Sequence, residues 1–482
     1  MVKPRELPER ARVVIIGGGV GGASIAHHLA QLGERDVVLL DRNELTSGST
    51  FHSAGLVGQL RSSVSLTRMM MDSVELYRTL DCGWVQCGGI RLACTPEREQ
   101  EVLRQVAWAK TFGLPLELIS AEEAHELFPL MSTDGVRCAS YLPSDGYLDP
   151  SLLTTALADS ARAGGCRIFT HTRVTGIDVD RSGGGGGGRG RVRGVQTEWG
   201  PIEAEVVVDA GGMFAAEIAR LAGVRVPIVP FAHEYLVTQP FRERGAGGDQ
   251  VHLPTLRDPD LLIYFREEGG GLIMGGYERH SAPWALDAQL LDAIPSDFNG
   301  RLLEEDWPRF EEIAVNSRVR VPVMDEITVT KLINGPEAFT PDNEFCLGES
   351  EVRGFFVAAG FCAHGLAGAG GIGKVMAEWV LEGEPAIDVW EMDIRRFGAH
   401  FRSPSYTLKR TKEVYETYYD IRYPGHERLA GRPLRTSSAY PWHVEHDAAL
   451  GEKSGWERVN WYESNAPAGE ESLRPRGWAG MQ

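Results

Sequence analysis

Apolar residues in this chain follow two rhythms. Short unbroken runs, Val13-Val14-Ile15-Ile16, Val37-Val38-Leu39-Leu40, Val206-Val207-Val208 and Phe355-Phe356-Val357-Ala358-Ala359, have the length expected of strands buried on both faces. Residues 230–238 alternate instead and read as a strand with two unlike faces. The first run is followed by a helical stretch over 23–30. The last is followed by a glycine-rich turn over 361–373 and then a predicted helix over 374–381. Residues 174–179 and 192–197 flank the low-complexity run Gly183 to Gly188. That run reads as a flexible hairpin loop, because no Lys-Ser/Thr pair follows it to make a phosphate loop. Buried strands alternating with helices predict the α/β class.

Between the first strand and its helix lie Gly17, Gly19 and Gly22, spaced G-x-G-x-x-G. The first glycine makes the tight turn, the second lets backbone approach a pyrophosphate, and the third lets helix and strand pack closely. The helix N-terminus offers N–H groups and a positive dipole end to the phosphates. The second strand ends at Asp41, where a carboxylate accepts ribose hydroxyls. This is a dinucleotide constellation. The fingerprint stands at the start of the chain and no second copy follows a later strand, which points to one FAD rather than a nicotinamide. The small polar loop after Asp41, with Arg42, Ser49, Thr50 and His52, is expected to pass the isoalloxazine ring. Gly211 closes the strand over 206–209 and is expected beneath the nucleotide. Gly360, Gly365 and Gly368 belong to the turn before a second helix N-terminus, whose dipole would face the flavin. The expected architecture is a Rossmann-type FAD-binding domain joined to a β-rich domain.

Composition narrows the partners. At 482 residues the chain is long enough for two or three domains. Its 67 acidic against 49 basic residues, net −18, oppose binding to nucleic acid or anionic lipid. No apolar run reaches the ~18 residues of a membrane span. Seven cysteines, an odd number without a Cys-x-x-Cys pair, argue for reduced thiols and against a zinc site. With no signal-peptide core at the N-terminus, a cytoplasmic location is expected.

The segment Gly48-Ser49-Thr50-Phe51-His52-Ser53-Ala54-Gly55 resembles the sarcosine and dimethylglycine dehydrogenase family, amine-oxidising flavoproteins of the D-amino-acid-oxidase fold. So do Gly83-Trp84-Val85-Gln86-Cys87-Gly88-Gly89, Phe128-Pro129-Leu130-Met131, Asp145-Gly146-Tyr147-Leu148-Asp149-Pro150, Gly335-Pro336-Glu337-Ala338-Phe339-Thr340-Pro341-Asp342 and Asp393-Ile394-Arg395-Arg396-Phe397. The resemblance implies that His52 carries FAD covalently through the 8α-methyl group; a histidine that merely hydrogen-bonds the cofactor is the alternative. It also implies that His233 lies over the flavin with Tyr264 on a neighbouring strand. A histidine titrating near the working pH would there take the proton an ammonium substrate must lose. Arg61 is a partner for a substrate carboxylate, or else half of a surface or inter-domain ion pair. The lysine that monomeric sarcosine oxidases carry in the C-terminal glycine-rich segment has no counterpart in residues 364–368. His364 stands near the ring or stabilises the turn.

On this resemblance the FAD-binding domain is discontinuous, over 12–57, 150–226 and 334–384, and the substrate domain covers 84–142 and 227–333. Residues 387–482 form a linker, with 474–481 entering an absent folate-binding aminomethyltransferase domain. The implied function is oxidation of the N-methyl group of a secondary or tertiary amine, with formaldehyde released for want of the folate domain. The electron acceptor, oxygen or a carrier, stays open, as does a separately encoded folate-binding partner. The competing expectations are an FAD enzyme of another amino acid or 2-hydroxy acid, and a non-catalytic flavin-bearing subunit.

Overall fold

The computed structural model describes residues 6–182, 190–241, 252–286, 293–423 and 426–465. The glycine run after Ser182 and the segment 474–481 lie outside the described residues. The first strand, β1 (Arg10–Ile16), leads through Gly17 into α1 (Val20–Gln31) and on to β2 (Val37–Leu40). Gly17 has φ +116°, and its N–H donates to Leu40 O at 2.8 Å, so the turn is closed from the next strand. Helix α2 (Val64–Tyr77) follows, and β3 (Gly200–Asp209) returns beside β1 in parallel register, with Val14 opposite Val207. Val13, Val14 and Ile15 are fully buried, as an unbroken apolar run requires.

A second sheet contains β4 (Val229–Thr238), β5 (Thr255–Asp258), β6 (Ile263–Glu268) and β7 (Val329–Phe339). The expected domain boundary at 334 falls in the middle of β7. That strand pairs with β4 from Val229↔Phe339 to Thr238↔Val329 and so lies wholly in the second sheet. The chain then re-enters the first sheet with Cys346–Glu349, which runs antiparallel to β8 (Phe355–Ala359), and β8 lies parallel to β3.

Helix α3 (Gly365–Glu382) starts nine residues before the expected Lys374. Its glycines are helix interior rather than turn. A Cβ on Gly371 would lie 2.4 Å from Met69 Cα, and one on Gly373 would lie 2.6 Å from the Ser24 carbonyl carbon. Glycine costs a helix roughly 0.5–1 kcal/mol relative to alanine. Here it allows α3 to lie against α1 and α2 at backbone distance. Gly368, expected at the cofactor, faces α2 instead, where a Cβ would meet Met70 Cε at 2.7 Å.

Residues expected only to lead out of the fold are packed into it. Helix α4 (Pro404–Glu416) starts from Ser403, whose Oγ accepts the Tyr406 N–H, and buries Val414 and Tyr415 completely in the core of the second sheet. All seven cysteines are free thiols. Among the described residues no helix is long and apolar enough to cross a membrane.

Candidate functional site

Two cavities meet at the junction of the sheets. The first is lined by the β1–α1 turn, the end of β2, and the N-terminus of α3. Gly17, Gly19, Asp41, Gly211, Gly360 and Gly365 all contribute to its wall. Asp41 is held rigidly: Oδ2 accepts the Gly18 N–H at 2.6 Å and Oδ1 the Asn43 N–H at 2.7 Å. Burial raises its pKa, and these amides oppose the rise. Gly22 does not line the cavity; its missing side chain brings α1 against the Gly17 carbonyl.

The polar loop supplies the adjoining wall. Arg42 lies 3.7 Å over the Phe214 ring and donates to Phe298 O at 3.2 Å. Ser49 Oγ donates to Pro336 O at 2.6 Å, and Thr50 Oγ1 accepts the Val20 N–H at 3.3 Å, at the start of α1. The loop is therefore fastened to β7 of the second sheet and to the start of α1.

His52 follows this loop into the wall of the second cavity. It is buried, and burial pushes its pKa down to about 4, so the imidazole is neutral. Its Nε2 has no hydrogen-bond partner among the described residues. Beside it stands Gly335 on β7, where a Cβ would come within 2.3 Å of His52 Nδ1. A glycine-lined helix start, a fixed carboxylate at the strand end, a second helix start and an orphaned buried imidazole together fit FAD.

The second cavity encloses about 840 Å³. His233 on β4 and Tyr264 on β6 meet in its wall, with His233 Nε2 3.2 Å from the Tyr264 hydroxyl. His233 Nδ1 lies 3.1 Å from the hydroxyl of Tyr415 on α4. That hydroxyl donates its one proton to Glu278, which is paired with Arg309. His233 Nδ1 must then carry hydrogen and donate to Tyr415, leaving Nε2 to accept from Tyr264. Both ring nitrogens are occupied. Burial, then the positive Arg309 and the neighbouring His52, drive the His233 pKa down to about 3. This departs from the expectation of a histidine titrating near neutral pH: its packing holds it neutral.

Tyr277 stacks between His233 and Tyr418, at centroid distances of 4.5 Å and 3.9 Å. His364 caps α3 and lines this cavity, its Nε2 3.3 Å from the Tyr418 hydroxyl. Tyr277, Tyr415 and Tyr418 were missed by sequence reading, since the last two come from the supposed linker.

The other end of the cavity is basic. Arg61 makes no salt bridge among the described residues, and its Nε and Nη2 are buried without partners, so the ion-pair alternative does not describe it. Burial and then Arg257 lower its pKa to about 10. A Cβ built on Gly58 would lie 3.2 Å from Arg257 Nη1, 3.2 Å from Asp145 Oδ2 and 3.6 Å from Arg61 Nη1, so these three groups converge on one spot. Arg257 stands directly opposite Tyr264 in the β5–β6 register, which places it on the same sheet face. Elsewhere, Cys94, Asp258 and Asp260 converge, but Arg320 and Arg98 pair with the two carboxylates at 2.8 and 3.1 Å.

A family model described as FAD dependent oxidoreductase matches residues 12–379, and one described as FAD dependent oxidoreductase central domain matches residues 382–437. The chain is 36% identical to sarcosine dehydrogenase, mitochondrial, of Homo sapiens, over 96% of this chain and 50% of the relative. It is also 36% identical to dimethylglycine dehydrogenase, mitochondrial, of Rattus norvegicus, over 95% and 53%. A third relative is 4-methylaminobutanoate oxidase (formaldehyde-forming) of Paenarthrobacter nicotinovorans, 35% identical over 95% and 54%. The chain thus spans about half the length of these curated relatives. Among solved structures, L-proline dehydrogenase from P. horikoshii superposes with a TM-score of 0.71 at 28% identity, covering 81% of this chain and 98% of that one. The chain belongs to the FAD-dependent oxidoreductase family, with sarcosine and dimethylglycine dehydrogenases among its relatives, and FAD is the cofactor its glycine-lined cavity holds.

Proposed function

We propose that the protein oxidises the N-methyl group of a small zwitterionic amino acid, sarcosine or dimethylglycine being the simplest, and releases the demethylated amine and formaldehyde. FAD, when bound, supplies the hydride acceptor. The observation that carries this reading is the two-ended cavity. At one end Arg61 has buried donors without partners among the described residues, and Arg257 stands beside it to share a carboxylate. At the other, His233, Tyr264 and Tyr277 surround the place for a cationic nitrogen with aromatic rings. Holding both ends of the substrate fixes the methyl carbon between them, and such positioning is a large part of catalysis. The tyrosine wall excludes bulk water during transfer. Water re-entering afterwards hydrolyses the iminium product.

The uncharged, unpartnered His52 Nε2 supports its assignment as the point of covalent flavin attachment. The experiment mixes the protein anaerobically with sarcosine, dimethylglycine, 4-methylaminobutanoate and a carboxylate-free N-methylamine. The zwitterions should bleach the flavin and yield trappable formaldehyde, and on a denaturing gel the flavin fluorescence should stay with the chain but not with His52→Ala. Absence of bleaching by every N-methylamine overturns the reading.

A further inference from the structure

One acid in the site has no role in the arrangement above. Glu337 lies on β7 in the wall shared by the two cavities. Its Oε2 is sealed from solvent and has no hydrogen-bond partner among the described residues. Side chains alternate along a strand, so Glu337 shares its face with Gly335, the residue that leaves room for His52. The carboxyl group therefore lies close to where the flavin is attached.

A buried carboxyl is normally paired with a cation or well supplied with donors. Glu337 forms no salt bridge to any described residue, and the one charged group acting on it strongly is another acid, Glu278. Nothing in the fold therefore accounts for it as a structural ion pair. The charged and titratable groups acting with it are Tyr235 from β4, Tyr264 from β6, Tyr277 and Glu278 beyond the Gly271–Gly276 strand, and Tyr415 and Tyr418 from the C-terminal segment, while His52 and His233 stand against Gly335 two residues along β7. The missing partner is a cation that arrives with the ligand.

Resting on the proposed amine oxidation, we infer that Glu337 is the catalytic residue that binds the substrate ammonium and takes its proton. The N–H bond breaks with its electron pair left on nitrogen, and an O–H bond forms on the Glu337 carboxylate. The freed lone pair then supports loss of hydride from the methyl carbon. His233 does not serve for this step, because both its nitrogens are engaged and its packing disfavours a positive charge. Alkylammonium groups ionise near 10, so at neutral pH the substrate arrives protonated and the step is required. Burial, then Glu278, raises the Glu337 pKa to about 7, which matches an acceptor to the working pH. Burial keeps His52 and His233 neutral and pushes the tyrosines upward; it also raises Glu278 against the pull of Arg309 and lifts Asp145, at the basic end, to about 6, so the variants at Glu337 identify the limb.

The sign follows directly. Glu337 must be ionised to accept, so flavin reduction is fast above about pH 7 and slows as pH falls through it. The test measures the anaerobic reduction rate of the holoenzyme by dimethylglycine from acid to alkaline pH, for the wild type, Glu337→Gln and Glu337→Asp, after equal flavin content is verified. The Gln variant should be ~100-fold slower above neutrality and should lose the acid limb, and the Asp variant should regain that limb in part. Glycine betaine, which has no N–H to lose, provides a second readout through charge attraction alone: above neutrality its perturbation of the flavin spectrum should need ~10-fold more ligand in Glu337→Gln. Wild-type rate and pH profile in the Gln variant overturn the assignment while leaving the amine-oxidase reading intact. Failure of the wild type to react with any N-methylamine removes both.

Discussion

Arg257 and Tyr264 face each other across adjacent strands, so one cross-strand pair carries a residue of the basic end and one of the histidine–tyrosine end. Replacing Arg257 by Gln removes the charge and shortens the side chain while keeping it polar. It is expected to raise KM for dimethylglycine by ~10–100-fold, the range for a charge-assisted hydrogen bond, and to leave KM for a carboxylate-free N-methylamine unchanged. Equal losses for both substrates would place Arg257 outside carboxylate binding. At this scale the sequence was readable wherever the chemistry is local. The glycines, Asp41 and the His52 loop lie within one βαβ unit and fix one another's meaning. Arg257 and Glu337 were not legible as site residues, although Glu337 sits in a motif already noted. What distinguishes them is their surroundings, Arg257 beside Arg61 and Asp145 and Glu337 without a partner among the described residues, and these depend on every strand packed around them. The depressed His233 pKa has the same origin, since the hydroxyls and the Arg309 charge come from distant parts of the chain.

Helix α3 shows how elements trade intrinsic preference for contact. Its glycine content predicts a turn, and propensity alone would end the helix there. Packing reverses the outcome, because α1 and α2 approach so closely that a methyl group has no place. Gly373→Ala would put Cβ 2.2 Å from Ser24 Oγ and 2.6 Å from Ser24 backbone atoms. The expected cost is ~1–3 kcal/mol, read as a lower denaturation midpoint, with flavin retention falling as the α3 N-terminus shifts. A variant as stable as the wild type would show that the three helices slide freely. The strands needed less correction. Continuous apolar runs became strands of the first sheet, and the alternating stretch became β4, but β4 is buried on both faces because other elements cover the side its polar residues occupy.

At the scale of the molecule, net charge misleads if carried inward: a chain with net −18 gathers Arg61, Arg91 and Arg257 in the second cavity, and Arg61 makes no salt bridge among the described residues. The largest departure from sequence reading is the C-terminal segment, whose aromatic and charged composition looked like a connector. Its tyrosines complete the cavity, and a pairwise reading of neighbouring residues could not show where that chain returns. Ending the chain after residue 403 removes Tyr415, Tyr418 and Tyr419 and opens the core around Phe231 and Phe339. The shortened protein is expected to bind 8-anilinonaphthalene-1-sulfonate and to lose amine-dependent bleaching. Retained turnover would return that segment to the status of a tail. The order of synthesis gives this arrangement a further meaning. Every strand of the nucleotide sheet has left the ribosome by Ala359, whereas the aromatic wall arrives with Tyr415 and Tyr418. A nascent chain can therefore acquire its coenzyme before it has a place to put an amine, and chemistry is withheld until the aromatic wall has been made.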